Sequence, residues 1–140
     1  MAELPEISPD YFQILVVREL RKAGFDVGDV RVHRRSELAE PEQGFVLELL
    51  APLSRTGSRW RALLVCRRQS IPVGSDVIES VIARLPEVAA EVALVFATAD
   101  FAADALAAAQ RSHIALLRVV EARRAFDLSG WGTPGQYPSW

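Results

Sequence analysis

A single carboxylate inside an apolar strand is the first residue of this sequence whose type and position suggest chemistry. Phe45–Ala51 reads FVLELLA, and Glu48 interrupts apolar residues that occupy both faces. Burying a carboxylate without a partner is costly, so Glu48 needs an opposite charge or an exit to solvent. Downstream, Arg59–Arg68 reads RWRALLVCRR. Period-two geometry places Arg59, Arg61, Leu63, Val65 and Arg67 on one face, and Trp60, Ala62, Leu64, Cys66 and Arg68 on the other. Arg67 or Arg61 is therefore the expected partner of Glu48 in a semi-buried ion pair. The same row of Arg59, Arg61 and Arg67 also has the charge to meet a phosphate backbone.

Other reactive residue types point to less. Eight scattered glycines never reach the spacing of a phosphate-binding or dinucleotide-binding loop. Nothing places a serine beside His33 or His113, and both histidines read as solvated or hydrogen-bonded surface residues. Cys66 lies within an apolar strand, where burial keeps a thiol protonated, so it reads as core. One cysteine and two distant histidines make neither an internal disulfide nor a zinc site of usual spacing. The basic residues are fifteen Arg and one Lys, Lys22, so a mechanism needing an ammonium has one candidate.

The elements that position these residues follow from periodicity. Ser8–Ala23 has apolar Phe12, Leu15, Val16, Leu20 and Ala23 at three- and four-residue steps. It reads as a helix capped by Ser8 and stopped by Gly24. Phe25–Arg35 alternates around Val27, Val30 and Val32 and reads as a strand beginning at Phe25 or after Gly28, with Ser36–Gly44 a polar loop or a broken helical turn. Phe45–Ala51 and Arg59–Arg68 form an antiparallel hairpin around a turn in Pro52–Ser58. A helix starts at Ser75 and runs to about Leu85, limited by Pro86. Val92–Ala97 is a short continuous apolar run, the mark of a strand covered on both faces, and Ile114–Val119 reads as another buried strand. Between them lies an alanine-rich helix, Phe101–Arg111, and after them a charged helical turn, Glu121–Ala125. The order α-β-β-β-α-β-α-β implies a mixed sheet flanked by helices. Two regions are expected, a domain over residues 1–126 and a Gly/Pro/aromatic tail over 127–140. In that tail Trp131, Tyr137 and Trp140 are of types enriched at interfaces, which makes a homodimer or another protein partner an expectation.

Length and composition bound the rest. The chain has 140 residues, a net charge of −2 and half its residues hydrophobic, which fits one domain with a real core. No apolar run approaches the roughly twenty residues a bilayer crossing needs, so no membrane association is expected. The acidic start MAELPEISPD lacks the pattern of a secretory signal, and cysteine usage suits a reducing, cytoplasmic setting. Near-neutral charge argues against a chain built for strong, sequence-independent nucleic-acid binding.

The run Val65–Val77, VCRRQSIPVGSDV, resembles the Mrr-like branch of the restriction endonuclease-like, PD-(D/E)xK, superfamily. In that family a strand ends in a Gln-Cys-Lys-Arg pattern and passes through a Pro-Val-Gly loop into a helix. Cys66, Arg68 and Pro72-Val73-Gly74 keep that pattern. The opening SPDYFQILVVRELRKAGFDV resembles the family's first helix, and the likeness extends to about Glu121. It implies a three-layer α/β/α sandwich with a mixed central sheet and metal-dependent phosphodiester hydrolysis. In the family, an Asp in the second core strand and a Glu or Gln in the third help to hold Mg²⁺. A Lys two residues later orients or activates water.

Carried onto this chain, the Asp position falls on Glu48, the Glu or Gln position on Val65, and the Lys position on Arg67. The first helix's frequent Glu falls on Gln13. Glu48 keeps a carboxylate, Val65 cannot ligate a metal, and the Arg67 guanidinium stays protonated and cannot act as a base. The resemblance thus implies a nuclease fold without a working nuclease centre. Such a domain would act as a nucleic-acid or protein binding module, with DNA as one expected partner and no cofactor. The alternative is a divergent metal-dependent DNA endonuclease that binds Mg²⁺ through Glu48 and a migrated acid, Asp76 or Glu79, on the following helix.

Overall fold

The computed structural model describes residues 8–22, 24–38, 44–110, 114–119 and 126–127. Its first helix, α1, spans Pro9–Lys22 as the periodicity predicts. Ser8 caps it, its Oγ accepting a hydrogen bond from the Tyr11 amide at 3.1 Å. The stripe of Phe12, Leu15, Val16 and Leu20 is fully buried.

The strand expected at Phe25–Arg35 is broken in two, β1 at Asp26–Val27 and β2 at Arg31–Glu37. Gly28 lies at the break, with its amide donating to the Pro52 carbonyl at 2.9 Å. A Cβ there would come within 2.5 Å of the Pro52 ring, so only glycine admits this approach. The second piece also runs further than expected. Ser36 and Glu37, read as loop, pair with Val46 and Phe45 because the partner strand continues beside them.

The hairpin is longer than the sequence suggested. Strands β3 (Phe45–Arg55) and β4 (Ser58–Arg68) have eleven residues each and meet at Thr56–Gly57. Both turn residues have positive φ, 47° and 85°, the backbone of a two-residue hairpin turn whose twist matches the strands. Such a tight turn lets pairing run through Pro52 and Ser54, which the composition assigned to the loop.

Helix α2 spans Ser75–Glu87 and carries Pro86 in its last turn, so the proline ends the helix one residue later instead of before it. Strand β5 (Val92–Ala97) follows, then helix α3 (Ala103–Gln110) and strand β6 (Ile114–Val119). Helix α3 begins two residues after the expected Phe101, because Phe101 instead makes a parallel bridge to Val73. Phe126–Asp127 forms a last short strand, β7, antiparallel to β6, so Asp127 belongs to the sheet. The expected turn at 121–125 and the tail beyond 127 lie outside the described residues, and with them Trp131, Tyr137, Trp140 and His113.

Seven described strands make one mixed sheet, ordered β1-β3-β4-β5-β6-β7 with β2 also on β3. Pairing is antiparallel through β3–β4 and parallel through β4–β5–β6, with α2 and α3 as the crossovers. Two cores result. Helix α1 covers Leu47, Leu49, Leu64, Cys66, Leu94 and Phe96 on one face. Helices α2 and α3 cover Leu63, Val65, Ala93, Val95 and Leu116 on the other. This is the expected α/β/α sandwich. No described helix is long and apolar enough to cross a membrane.

Candidate functional site

The hairpin register brings the three singled-out positions together. Glu48 lies directly opposite Val65, and Val46 opposite Arg67. Opposed residues of an antiparallel pair share a face, so Glu48, Val65 and Arg67 all face the α2–α3 layer. Val65 packs in the apolar core under α2, with Ile78 and Val81. Glu48 is buried with 6% of its surface exposed.

The partner of Glu48 is neither Arg67 nor Arg61. Arg84 Nη2 of α2 lies 2.7 Å from Glu48 Oε1, with 18% of the Arg84 side chain exposed. The crossover explains this correction, since α2 runs back across the sheet from the end of β4 and carries Arg84 over the strand centre. The signal was present in the helix itself: Arg84 stands three residues after buried Val81, on the side that meets the sheet. A second arginine flanks the row, for Arg34 of β2 is paired opposite Glu48 on its other side.

The arginines of β4 have separate engagements. Arg67 Nε donates to Gln69 Oε1 at 2.5 Å. Gln69 is itself buried, its Nε2 donating to the Ile71 carbonyl at 2.6 Å. Its amide donates to Thr98 Oγ1, which donates back to the Gln69 carbonyl, both at 2.9 Å. Arg67 is thus held at a polar knot that ties the end of β4 to the end of β5. Arg61 Nε donates to the Ala89 carbonyl at 2.6 Å, and its amide to Glu91 Oε1 at 2.9 Å. A cation just past the C-terminus of α2 also complements the helix dipole. Arg59 is exposed beside the hairpin turn, opposite Ser54. Eight residues of strand separate Arg59 from Arg67, about 27 Å, so one face holds the row without gathering it into one site.

The remaining candidates are dispersed. Gln13 is on α1, which packs against the opposite face of the sheet. Asp76 and Glu79 are exposed on α2. Asp76 lies about 12 Å along the helix axis from Arg84, the residue that reaches Glu48. Among the described residues no three of His, Cys, Asp and Glu converge. His33 is exposed on β2, and Cys66 is fully buried, with its thiol pKa pushed up by desolvation.

This donor set does not suit a divalent cation. Mg²⁺ takes hard oxygen ligands, whereas Val65 supplies none, Arg67 is positively charged, and the Glu48 carboxylate already faces a guanidinium. What the arrangement holds instead is one buried carboxylate paired with the Arg84 guanidinium, with Arg34 opposite it on the neighbouring strand.

The restriction endonuclease family model of the Mrr type matches residues 4–125. No curated protein and no solved structure matches the chain.

Proposed function

The chain belongs to the Mrr-like restriction endonuclease family, and we propose that its domain binds nucleic acid without cleaving it. The observation that carries this reading is the Arg84–Glu48 ion pair at 2.7 Å. Glu48 matches the family's metal-binding Asp, and a guanidinium on that carboxylate opposes a second positive charge by direct repulsion. Val65 and Arg67 remove the second ligand and the lysine at the other two positions. The scaffold around them is intact, with both cores closed and the sheet continuous. A closed scaffold around positions that offer one paired carboxylate and no second ligand fits a domain used for contact.

A cleavage assay on supercoiled plasmid with Mg²⁺ or Mn²⁺ tests the catalytic half of this reading. The expected result is no nicking above that of the Glu48→Ala variant. Metal-dependent nicking by the wild-type chain that disappears in Glu48→Ala would establish the divergent nuclease instead.

A further inference from the structure

Three candidate surfaces stand outside the Glu48 row: a cleft between β2 and the end of α2, the hairpin turn, and the sheet edge with its neighbouring helix. The last has the charge to specify a ligand. Strand β2 reads RVHRRSE and is exposed along nearly its whole length. It pairs with β3 alone among the described strands, so its other edge is open. Opposed pairing sets where its side chains go. Arg31 and Arg34 share a face with Leu50 and Glu48, while Val32 and Arg35 share the α1 face with Leu49 and Leu47. The bulge between Val32 and Arg34 produces this change of side and spreads three guanidinium groups around one edge.

Helix α1 adds the second wall. A groove of about 730 Å³ runs between α1 and Val30, with Ile14, Val17, Arg18, Arg21 and Lys22 on the helix side. Glu19 lies buried beneath, with Lys22 Nζ and Arg18 Nε at 3.3 and 3.4 Å from its Oε2. That one carboxylate leaves Arg18 Nη2 buried with no hydrogen-bond partner among the described residues. Arg21 and Lys22, exposed at the end of the helix, are the cations here that an anionic oxygen can reach. The acids nearby on the described surface are Asp26 and Asp29 before β2 and Glu37 at its end.

We propose that β2 and the C-terminal half of α1 form a track for a nucleic-acid phosphate backbone, built from Arg31, Arg34 and Arg35 with Arg18, Arg21 and Lys22. This rests on the reading that the domain binds nucleic acid, and it moves the contact from the β4 arginines to the sheet edge. Three exposed arginines around one open edge strand, with Arg21 and Lys22 exposed at the end of the helix beside Val30, give a polyanion a place to dock on a chain with net charge −2. The same arginines disfavour a second copy adding its own β2 to the edge, because like charges would then lie across the new pairing.

Fluorescence anisotropy of the full chain with a short labelled duplex and with the matching single strand, across a salt series, tests the track. Wild type is expected to bind at low salt and to weaken steeply as salt rises. The Arg31→Ala/Arg34→Ala/Arg35→Ala variant should lower affinity and reduce the slope of log K against log salt by about 3 units. Arg21→Ala/Lys22→Ala should reduce it by about 2, while Arg59→Ala at the hairpin turn should leave it unchanged. Circular dichroism melts check folding, and the Arg→Lys version of the triple variant, which keeps the charge, should retain the slope. Binding that survives both alanine variants in folded protein overturns the track and leaves nucleic-acid binding standing. No binding of either probe by wild type at low salt overturns the nucleic-acid reading itself.

Discussion

Arg84 and Glu48 are each expensive to bury alone, and their pairing is what makes either tolerable between the sheet and α2. Removing one partner leaves the other charge in an apolar setting. Arg84→Ala should therefore destabilise the domain by about 3 kcal/mol, measured by urea denaturation. Replacing both residues with apolar ones of similar volume, Glu48→Leu with Arg84→Met, should cost far less or nothing. A double variant as unstable as Arg84→Ala would mean that the pair does more than neutralise itself. Cys66 gives a second, independent prediction. Its folded thiol is raised above the ordinary 9.0 by burial, so between pH 9 and the folded value the native state holds a proton that the unfolded chain releases. The stability it contributes is complete below pH 9 and declines above it, by up to about 1.4 kcal/mol per pH unit. Urea melts at pH 8 and pH 10 should show a larger alkaline loss in wild type than in Cys66→Ala, and equal losses would contradict the burial argument.

Elements were legible in the sequence where one physical signal dominated. Helix α1 combines a Ser cap with an apolar stripe, β5 is an uninterrupted apolar run and β6 opens with four apolar residues, so these need no tertiary information. The hairpin ends were not legible, because a two-residue turn with both φ values positive was hidden inside a longer polar stretch. Thr56 carries the positive φ of 47° on a β-branched side chain, a strained choice. Thr56→Asn keeps a turn-compatible residue before Gly57 and should raise stability by about 1 kcal/mol in denaturant melts. A loss of stability would show that Thr56 has a compensating contact. Gly28 marked an alternative start for the second strand, but the cause of the break was hidden, since it depends on Gly28 meeting Pro52, residues far apart in sequence. For the site, strand periodicity sufficed to put Glu48, Val65 and Arg67 on one face, given the hairpin pairing. The pairing of Glu48 with Arg84 was not available from either segment alone. It depends on how far α2 travels back across the sheet, which is a property of the crossover.

At the scale of the molecule, two cores on opposite faces of one sheet make the fold depend on the shared parallel strands. Phe96, fully buried in the α1 core near the end of β5, is one of its largest side chains. Phe96→Ala should cost about 3–5 kcal/mol, and a single cooperative unfolding transition should persist as both cores lose their common strand. The same architecture sets the chemistry, for the two crossover helices close over this face and α2 delivers the Arg84 guanidinium to Glu48, which in the reading proposed above stands at the family's metal position. Calorimetric titration of Mg²⁺ and Mn²⁺ into wild type and Glu48→Ala asks directly whether that exchange has removed metal binding. No saturable heat in either protein is the predicted result. Saturable binding by wild type that vanishes in Glu48→Ala would contradict the account and return Glu48 to the role of a metal ligand.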